Sequence, residues 1–266
     1  MHTPDWFRLF PAAAHRLAMN LRPGNAVAFW QDSPEAATVL KERARWLAAH
    51  PERHLLVADD SMEAVGEAVD WIMRALDRTA VSPATAATTL EPDWLVLSGD
   101  AASGHPVLGG AVIFPSGWAL EEKIGRPLHT VHEPVPGLRQ SLEHSIDTFL
   151  SRLAPQAAWE RDNWGLAADD RLNHHPALPL PRLGPDATLH TTWLRLERQF
   201  LTRLPASSAI LFGIRVTNHR LDDLARVPGL APRLQNALAT MDEALASYKG
   251  ITTARAALVE QISRFV

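Results

Sequence analysis

The stretch HTVHEPVPG, residues 129–137, places two histidines three residues apart and then two prolines two apart. Imidazole is the commonest metal ligand, and two rings on one helical face would clasp an ion or cofactor together. Pro134 and Pro136 argue against that geometry, because each lacks an amide hydrogen and pushes the residue before it toward extended backbone. The spacing therefore predicts a stiff, polyproline-like loop with His129 and His132 at its entrance and a helix after it. A loop of that kind holds a side chain rigidly at a pocket, which makes these two histidines the first candidates for a binding role.

The chain has no cysteine, which removes disulfides, thiolate nucleophiles, Fe–S clusters and thiolate-held zinc or haem in one step. Any metal must be held by histidine, carboxylate, methionine or the single tyrosine, Tyr248, and the 12 histidines are the natural supply. His174 and His175 are adjacent and beside Pro176, so they cannot easily face one ion and are read as solvated loop residues; His50 and His54 flank an element boundary at Pro51. GDAASGHP, residues 99–106, has the glycine separation of a phosphate-cradling loop, but His105 and Pro106 stand where lysine and a hydroxyl are needed, so a β-turn is predicted. No G-x-G-x-x-G, G-x-S-x-G or H-E-x-x-H occurs. Arg195, Arg198 and Arg203 punctuate LRLERQFLTRLP, and Arg215 sits inside the apolar run AILFGIRV. An arginine there either points to solvent or reaches a buried anion.

These side chains must be positioned by the elements around them. Helical spacing of Ala37, Leu40, Ala44 and Leu47 predicts a helix over 33–49, with Ser33 as N-cap and Pro34 at its first position, and a second follows over 61–76 behind Ser61. VSPATAATTLEP, residues 81–92, reads as a connection. Then the period changes: DWLVLSGD and HPVLGGAVIFPSGWAL read as two strands joined by a turn. GLRQSLEHSIDTFLSRL is a helix whose Leu138, Leu142, Ile146, Phe149, Leu150 and Leu153 share one arc, with His144 on the opposite side. WERDNWGLAADD reads as a short strand and RLNHHPALPLPRLGPD as a Pro-rich excursion. TTWLRLERQFLTRLPASSAILFGIRV reads as a two-stranded hairpin turning at Pro205–Ser208, although Trp193, Leu196, Phe200, Leu201 and Leu204 also fit a helix. The segment 230–266 is helical.

With 46% apolar and 21% charged residues, the 266-residue chain can bury a full core as one large α+β domain. Its net charge of −4 offers no footprint for nucleic acid or an anionic membrane. No apolar run approaches the roughly 20 residues that span a bilayer, and MHTPDWFRLF lacks the layout of a signal peptide, so a cytoplasmic protein is expected.

Taken in order, LRP (21–23), FPSGW (114–118), HEPVPG (132–137), ERDNWG (160–165), LRLERQFLTRLP (194–205), ILFGIRV (210–216) and YKG (248–250) resemble the haem-binding subunit family of haem-dependent oxidative N-demethylases. The resemblance covers most of the chain. It implies a PAS-like α/β (α+β) fold, an antiparallel sheet enclosed by helices, as a single haem-binding domain over 1–266: an N-terminal helical segment (1–80), a sheet core (93–220) and C-terminal helices (221–266). It also implies a haem b used for O2-dependent oxidation of a small methylated amine such as dimethylamine, with electrons from reductase subunits carrying flavin and an iron–sulfur cluster. One motif departs from the family: Gly117 replaces the usual basic residue between Ser116 and Trp118.

Within that resemblance, a haem iron without thiolate requires an imidazole, and His132, ahead of two prolines, suits the task better than His144 on the polar helix face. Arg139, Arg198 and Arg215 become candidates for pairing with propionates or a substrate-side anion. Trp118 and Trp164 are placed either as walls of the porphyrin or as core. No catalytic base is assigned. The same fold also accommodates a haem-binding PAS-type sensor or carrier without turnover, or an interaction subunit that has lost its cofactor.

Overall fold

The structure, a computed structural model, describes residues 4–266. Seven strands, β1 (Arg22–Pro23), β2 (Leu55–Val57), β3 (Asp93–Leu97), β4 (Val107–Ala111), β5 (Trp159–Ala167), β6 (Trp193–Arg203) and β7 (Ile210–Arg220), form one antiparallel sheet in the order β1-β5-β6-β7-β3-β4-β2. The fold is of the α+β class, as expected, and helices enclose the sheet. On the N-terminal side these are α1 (Trp6–Leu9), α2 (Ala26–Trp30), α3 (Ala36–Ala49), α4 (Pro51–His54), α5 (Met62–Ala75) and α6 (Pro83–Thr89). Between strands lie α7 (Leu128–His132) and α8 (Leu138–Arg152), and the chain ends with α9 (Leu221–Ala225), α10 (Ala231–Ala239), α11 (Glu243–Tyr248) and α12 (Thr252–Ile262). No helix among the described residues is long and apolar enough to cross a membrane.

Alternation along the strands divides the sheet into two faces. In the β5–β6 ladder, Trp159, Arg161 and Asn163 oppose Leu201, Gln199 and Glu197 on what we call the front, while Glu160, Asp162 and Trp164 oppose Phe200, Arg198 and Leu196 on the back. Phe29 and Trp30 of α2, with α5 and α6, bury the back against Trp94, Phe200 and Leu211. Ile146 and Leu150 of α8 bury the front against Leu95, Leu97, Leu201 and Ile214. A third cluster joins Phe10, Trp164 and Leu194 to the C-terminal helices.

Gly213 of β7 shows how tightly the back is filled: a Cβ there would lie 2.6 Å from the Phe29 ring and 2.8 Å from Trp30. Gly213→Ala is therefore expected to destabilise by about 1–3 kcal/mol through overpacking, read as a lower urea midpoint at unchanged slope.

The structure corrects several local expectations. Residues 83–89 of the expected connection are helical, because Ser82 accepts the Thr85 amide at 3.2 Å and Pro83 sits in the first turn, a start signal hidden in a small, polar sequence. The first long helix begins at Ala36; Ser33 lies outside it, bonded through its amide and hydroxyl to Glu91, both at 2.7 Å. Ser61 does occupy an N-cap position, but its hydroxyl donates to the Asp59 carbonyl instead of capping the helix. The N-terminal segment expected to be helical also supplies β1 and β2. The ambiguous arm 193–203 is a strand, paired with β7 from Trp193↔Arg220 to Arg203↔Ile210.

Candidate functional site

The largest local correction concerns 129–137, where Leu128–His132 is a short helix, not an extended loop. The prolines do not prevent it because both lie beyond its last residue, and a proline disfavours the helical region for its predecessor without forbidding it. Glu133 stays helical (φ −49°, ψ −39°), and the Val135 amide closes onto the His132 carbonyl at 2.9 Å. The entry to α7 is tied to the turn in GDAASGHP, since the Leu128 amide donates to the Gly104 carbonyl at 2.8 Å. Gly137, at φ +72°, then swings the chain into α8, a left-handed position that glycine adopts without strain.

A cavity of about 510 Å³ lies in this corner, between α7 and the first turns of α8. Leu128, Val135, Leu138 and Ile146 give it apolar walls, and His129, His132 and Glu143 face it. Its volume is within the range of sites that hold small molecules and cofactors.

His132 is half-buried there, and its ring makes no hydrogen bond among the described residues. Desolvation lowers its pKa to about 4, reinforced by the nearby Arg161 cation and opposed by Glu143. At neutral pH the ring is therefore uncharged and has a free lone pair, the form in which imidazole binds metal. His129 is exposed at the same rim, and His144 is exposed on a separate, more open cleft of about 470 Å³ beside Phe149, Arg152 and Trp159.

The arginines divide by face. Arg139 lines the cavity rim, exposed, and its Nε donates to Glu143 at 3.2 Å on the next turn. Arg198 is on the back of the sheet, bidentate to Glu160 at 2.8 and 3.1 Å and over the Phe29 ring. Glu160 also receives Arg22, whose other bonds go to Asp162. Arg215, also on the back, meets Glu91 at 2.6 Å and the carbonyls of Phe29 and Gln31. The buried anions that Arg198 and Arg215 reach are thus carboxylates of this chain. Trp118 is half-buried against the front cluster, and Trp164 is buried with Phe10 at 5.0 Å and His15 at 5.8 Å; neither lines the cavity.

Other motif residues hold the frame. Arg195 donates to Ser116 Oγ at 2.7 Å and to the carbonyls of Phe114 and Leu172, tying FPSGW to the Pro-rich excursion. Arg203 donates to the carbonyls of Leu150 and Leu153, meeting the C-terminal end of α8 with a cation. At Gly117 (φ +80°) an added Cβ would meet nothing within 4 Å, so the departure from the family pattern leaves no packing defect. His174 and His175 are not solvated: they turn apart, His174 to Asp169 at 3.0 Å and the buried His175 to Glu121 at 3.1 Å. The Ala177 amide donates to Nδ1 of His175, which leaves Nε2–H to bond the carboxylate.

Two residues escaped the sequence reading. Arg161, on the front of β5, makes no hydrogen bond or ion pair among the described residues, and its Nε is enclosed without a partner. Lys249, just past α11, donates Nζ to the Trp164 carbonyl at 2.5 Å. Alternation in ERDNWG separates Arg161 from Glu160 and Asp162, but only the packed sheet shows which face turns toward the cavity.

Burial lowers the Lys249 pKa to about 8 from 10.5, with Arg161 adding repulsion and Glu197 opposing both. A lysine depressed in the folded state binds fewer protons there than when unfolded, so its contribution to stability rises as pH climbs from about 8 to 10.5 and is flat below. Lys249→Met is expected to lack that rise in a series of urea midpoints across this window.

Among the described residues no three His, Asp or Glu side chains gather as a cage for a bare metal ion. A porphyrin brings its own four nitrogens and needs from the protein an imidazole and a walled cavity, both of which are present around His132. A family model described as haem-dependent oxidative N-demethylase, alpha subunit-like, matches residues 81–259, from the start of α6 into α12.

Proposed function

Because the chain belongs to the haem-dependent oxidative N-demethylase alpha-subunit-like family, we propose that it holds a haem b in the α7–α8 cavity with His132 as the iron ligand, and that it oxidises a small methylated amine with O2. The observation that carries this reading is the His132 ring, neutral and without a hydrogen-bond partner among the described residues, facing a cavity of about 510 Å³. When bound, haem supplies a redox-active iron able to take electrons singly and to engage O2.

The chain's own groups do the rest. The last turn of α7 orients the His132 ring, and burial, reinforced by Arg161, keeps it unprotonated. Leu128, Val135, Leu138 and Ile146 exclude water from one side of the site, which strengthens every charge interaction within it. Arg139, at the rim, is placed to meet a carboxylate at the cavity mouth once Glu143 releases it. Arg198 and Arg215 hold the back of the sheet together through Glu160 and Glu91, and Trp118 and Trp164 pack in the hydrophobic clusters, so none of the four lines the cavity. With no cysteine for a cluster and no dinucleotide loop in this sequence, electrons arrive from separate subunits bearing flavin and iron–sulfur centres.

The test is purification with haem supplementation, then oxygen uptake against a panel of methylated amines with a chemical reductant. One haem per chain with a histidine-type Soret spectrum, and uptake that depends on a dimethylamine-like substrate, are expected. A chain that takes up no haem, or loaded protein inert to every amine, would refute the haem site or the reaction respectively.

A further inference from the structure

We propose that Arg161 and Lys249 form a carboxylate-binding site on the sheet side of the His132 cavity. The carboxylate is either a propionate of the bound haem or the acid group of an N-methyl amino acid substrate; the inference rests on the proposed haem site only for the first source.

The argument begins with charge. Arg161 projects from the front of β5, the face that α8 covers, and acts electrostatically on both Lys249 and His132, so the two cations lie on the sheet side of the His132 ring, outside the residues that line the cavity itself. The carboxylates that line the cavity, Glu133, Glu143 and Asp147, come from α7–α8, and Glu143 is bonded to Arg139 at 3.2 Å; on the sheet, Glu197 is already occupied, accepting from Asn163 Nδ2 at 3.2 Å and from Gln199 Nε2 at 2.9 Å. No ion pair joins it to either cation within 4.0 Å among the described residues. Asp162, next to Arg161 in sequence, points to the other face and is held by Arg22 at 2.6 and 3.0 Å. Arg195, two residues before Glu197 on β6, is spoken for, its hydrogen bonds going to Ser116 and four carbonyls. Arg161 is thus a desolvated cation that no carboxylate among the described residues meets directly, a costly arrangement unless an anion completes it.

The second observation is the Arg161 guanidinium itself. The two fully buried arginines are satisfied: Arg43 by Asp93 and by the carbonyls of Ala87 and Glu91, and Arg195 as above. Arg161, half-buried, has an enclosed Nε without an acceptor among the described residues, and its planar fork is the group that binds a carboxylate through two parallel bonds. Lys249 supplies a second charge, its Nζ using one donor on the Trp164 carbonyl and retaining two.

Two matched ligand pairs test this on the full chain: haem against its dimethyl ester, and N,N-dimethylglycine against N,N-dimethylglycinamide, the second pair on haem-free protein by calorimetry. In at least one pair the acid is expected to bind about tenfold or more tightly than its neutral counterpart, as one charge-assisted pairing requires. Arg161→Gln is expected to abolish that preference and Arg161→Lys to restore part of it. Preference within the haem pair assigns the site to a propionate; preference within the dimethylglycine pair assigns it to a substrate carboxylate. Equal binding of acid and neutral ligand in both pairs by the unaltered protein overturns the proposal without any variant, as does a preference that survives in folded Arg161→Gln. If haem does not bind at all, the haem reading fails, and the dimethylglycine pair still decides the carboxylate site.

Discussion

Replacing His132 with alanine is expected to abolish haem retention, while His129→Ala and His144→Ala keep the parental haem content and Soret spectrum. Loss of a residue that only supports a metal ligand typically costs about 10–100-fold in affinity, so loss of the ligand itself should exceed that range. The expectation follows from three features: His132 faces the α7–α8 cavity, its ring has no partner among the described residues, and burial keeps it unprotonated. His129 is exposed at the rim, and His144 belongs to a cleft on the other side of α8. Haem titrations of the three variants give the result directly. Retention in His132→Ala with loss in His144→Ala would move the cofactor to the cleft beside Phe149, Arg152 and Trp159.

The largest effect on stability is expected at Asp93. Its carboxylate is fully buried and accepts from Arg43 at 2.5 Å and from the backbone amides of Ile113 and Phe114 at 3.0 and 2.8 Å. Asp93→Ala strands the Arg43 cation in the core together with two amides, and the cost expected from breaking a buried pair is about 3–5 kcal/mol. Ile113 and Phe114 lead directly into the segment that Arg195 ties down at Ser116, so loosening should spread toward FPSGW. Urea denaturation measures the loss; a decrease below about 1 kcal/mol would mean that solvent reaches Arg43 in the folded state. Removing both charges in Arg43→Met/Asp93→Leu should recover part of the deficit, since the isolated cation is the main penalty.

The division between what sequence and tertiary structure determine is visible in single residues. Period-two and helical patterns were enough to place the strands around 93–97, 107–111 and 210–216 and the helix over Leu138–Arg152, because burial of one face imposes those periods directly on the sequence. Short elements were not legible in this way. Pro83–Thr89 lacks a large apolar face, and Leu128–His132 is about one turn long and is held by contacts with Gly104 that lie far away in sequence.

The candidate site shows the same limit. The sequence alone established the supply of ligands, histidine in the absence of cysteine, and singled out the region around His132. It also marked Arg198 and Arg215 as arginines that either face solvent or meet an anion, without showing that Glu160 and Glu91 would be those anions. Strand pairing decided that, by setting Glu160 and Arg198 on one face and turning Arg161 to the other. A residue's neighbours along a strand alternate between faces, but which face meets α7 and α8 is fixed only when helices and sheet bury their apolar surfaces together. That packing left the Arg161 guanidinium without an ion-pair or hydrogen-bond partner among the described residues, a property of the assembled sheet and helices that no stretch of the chain carries by itself.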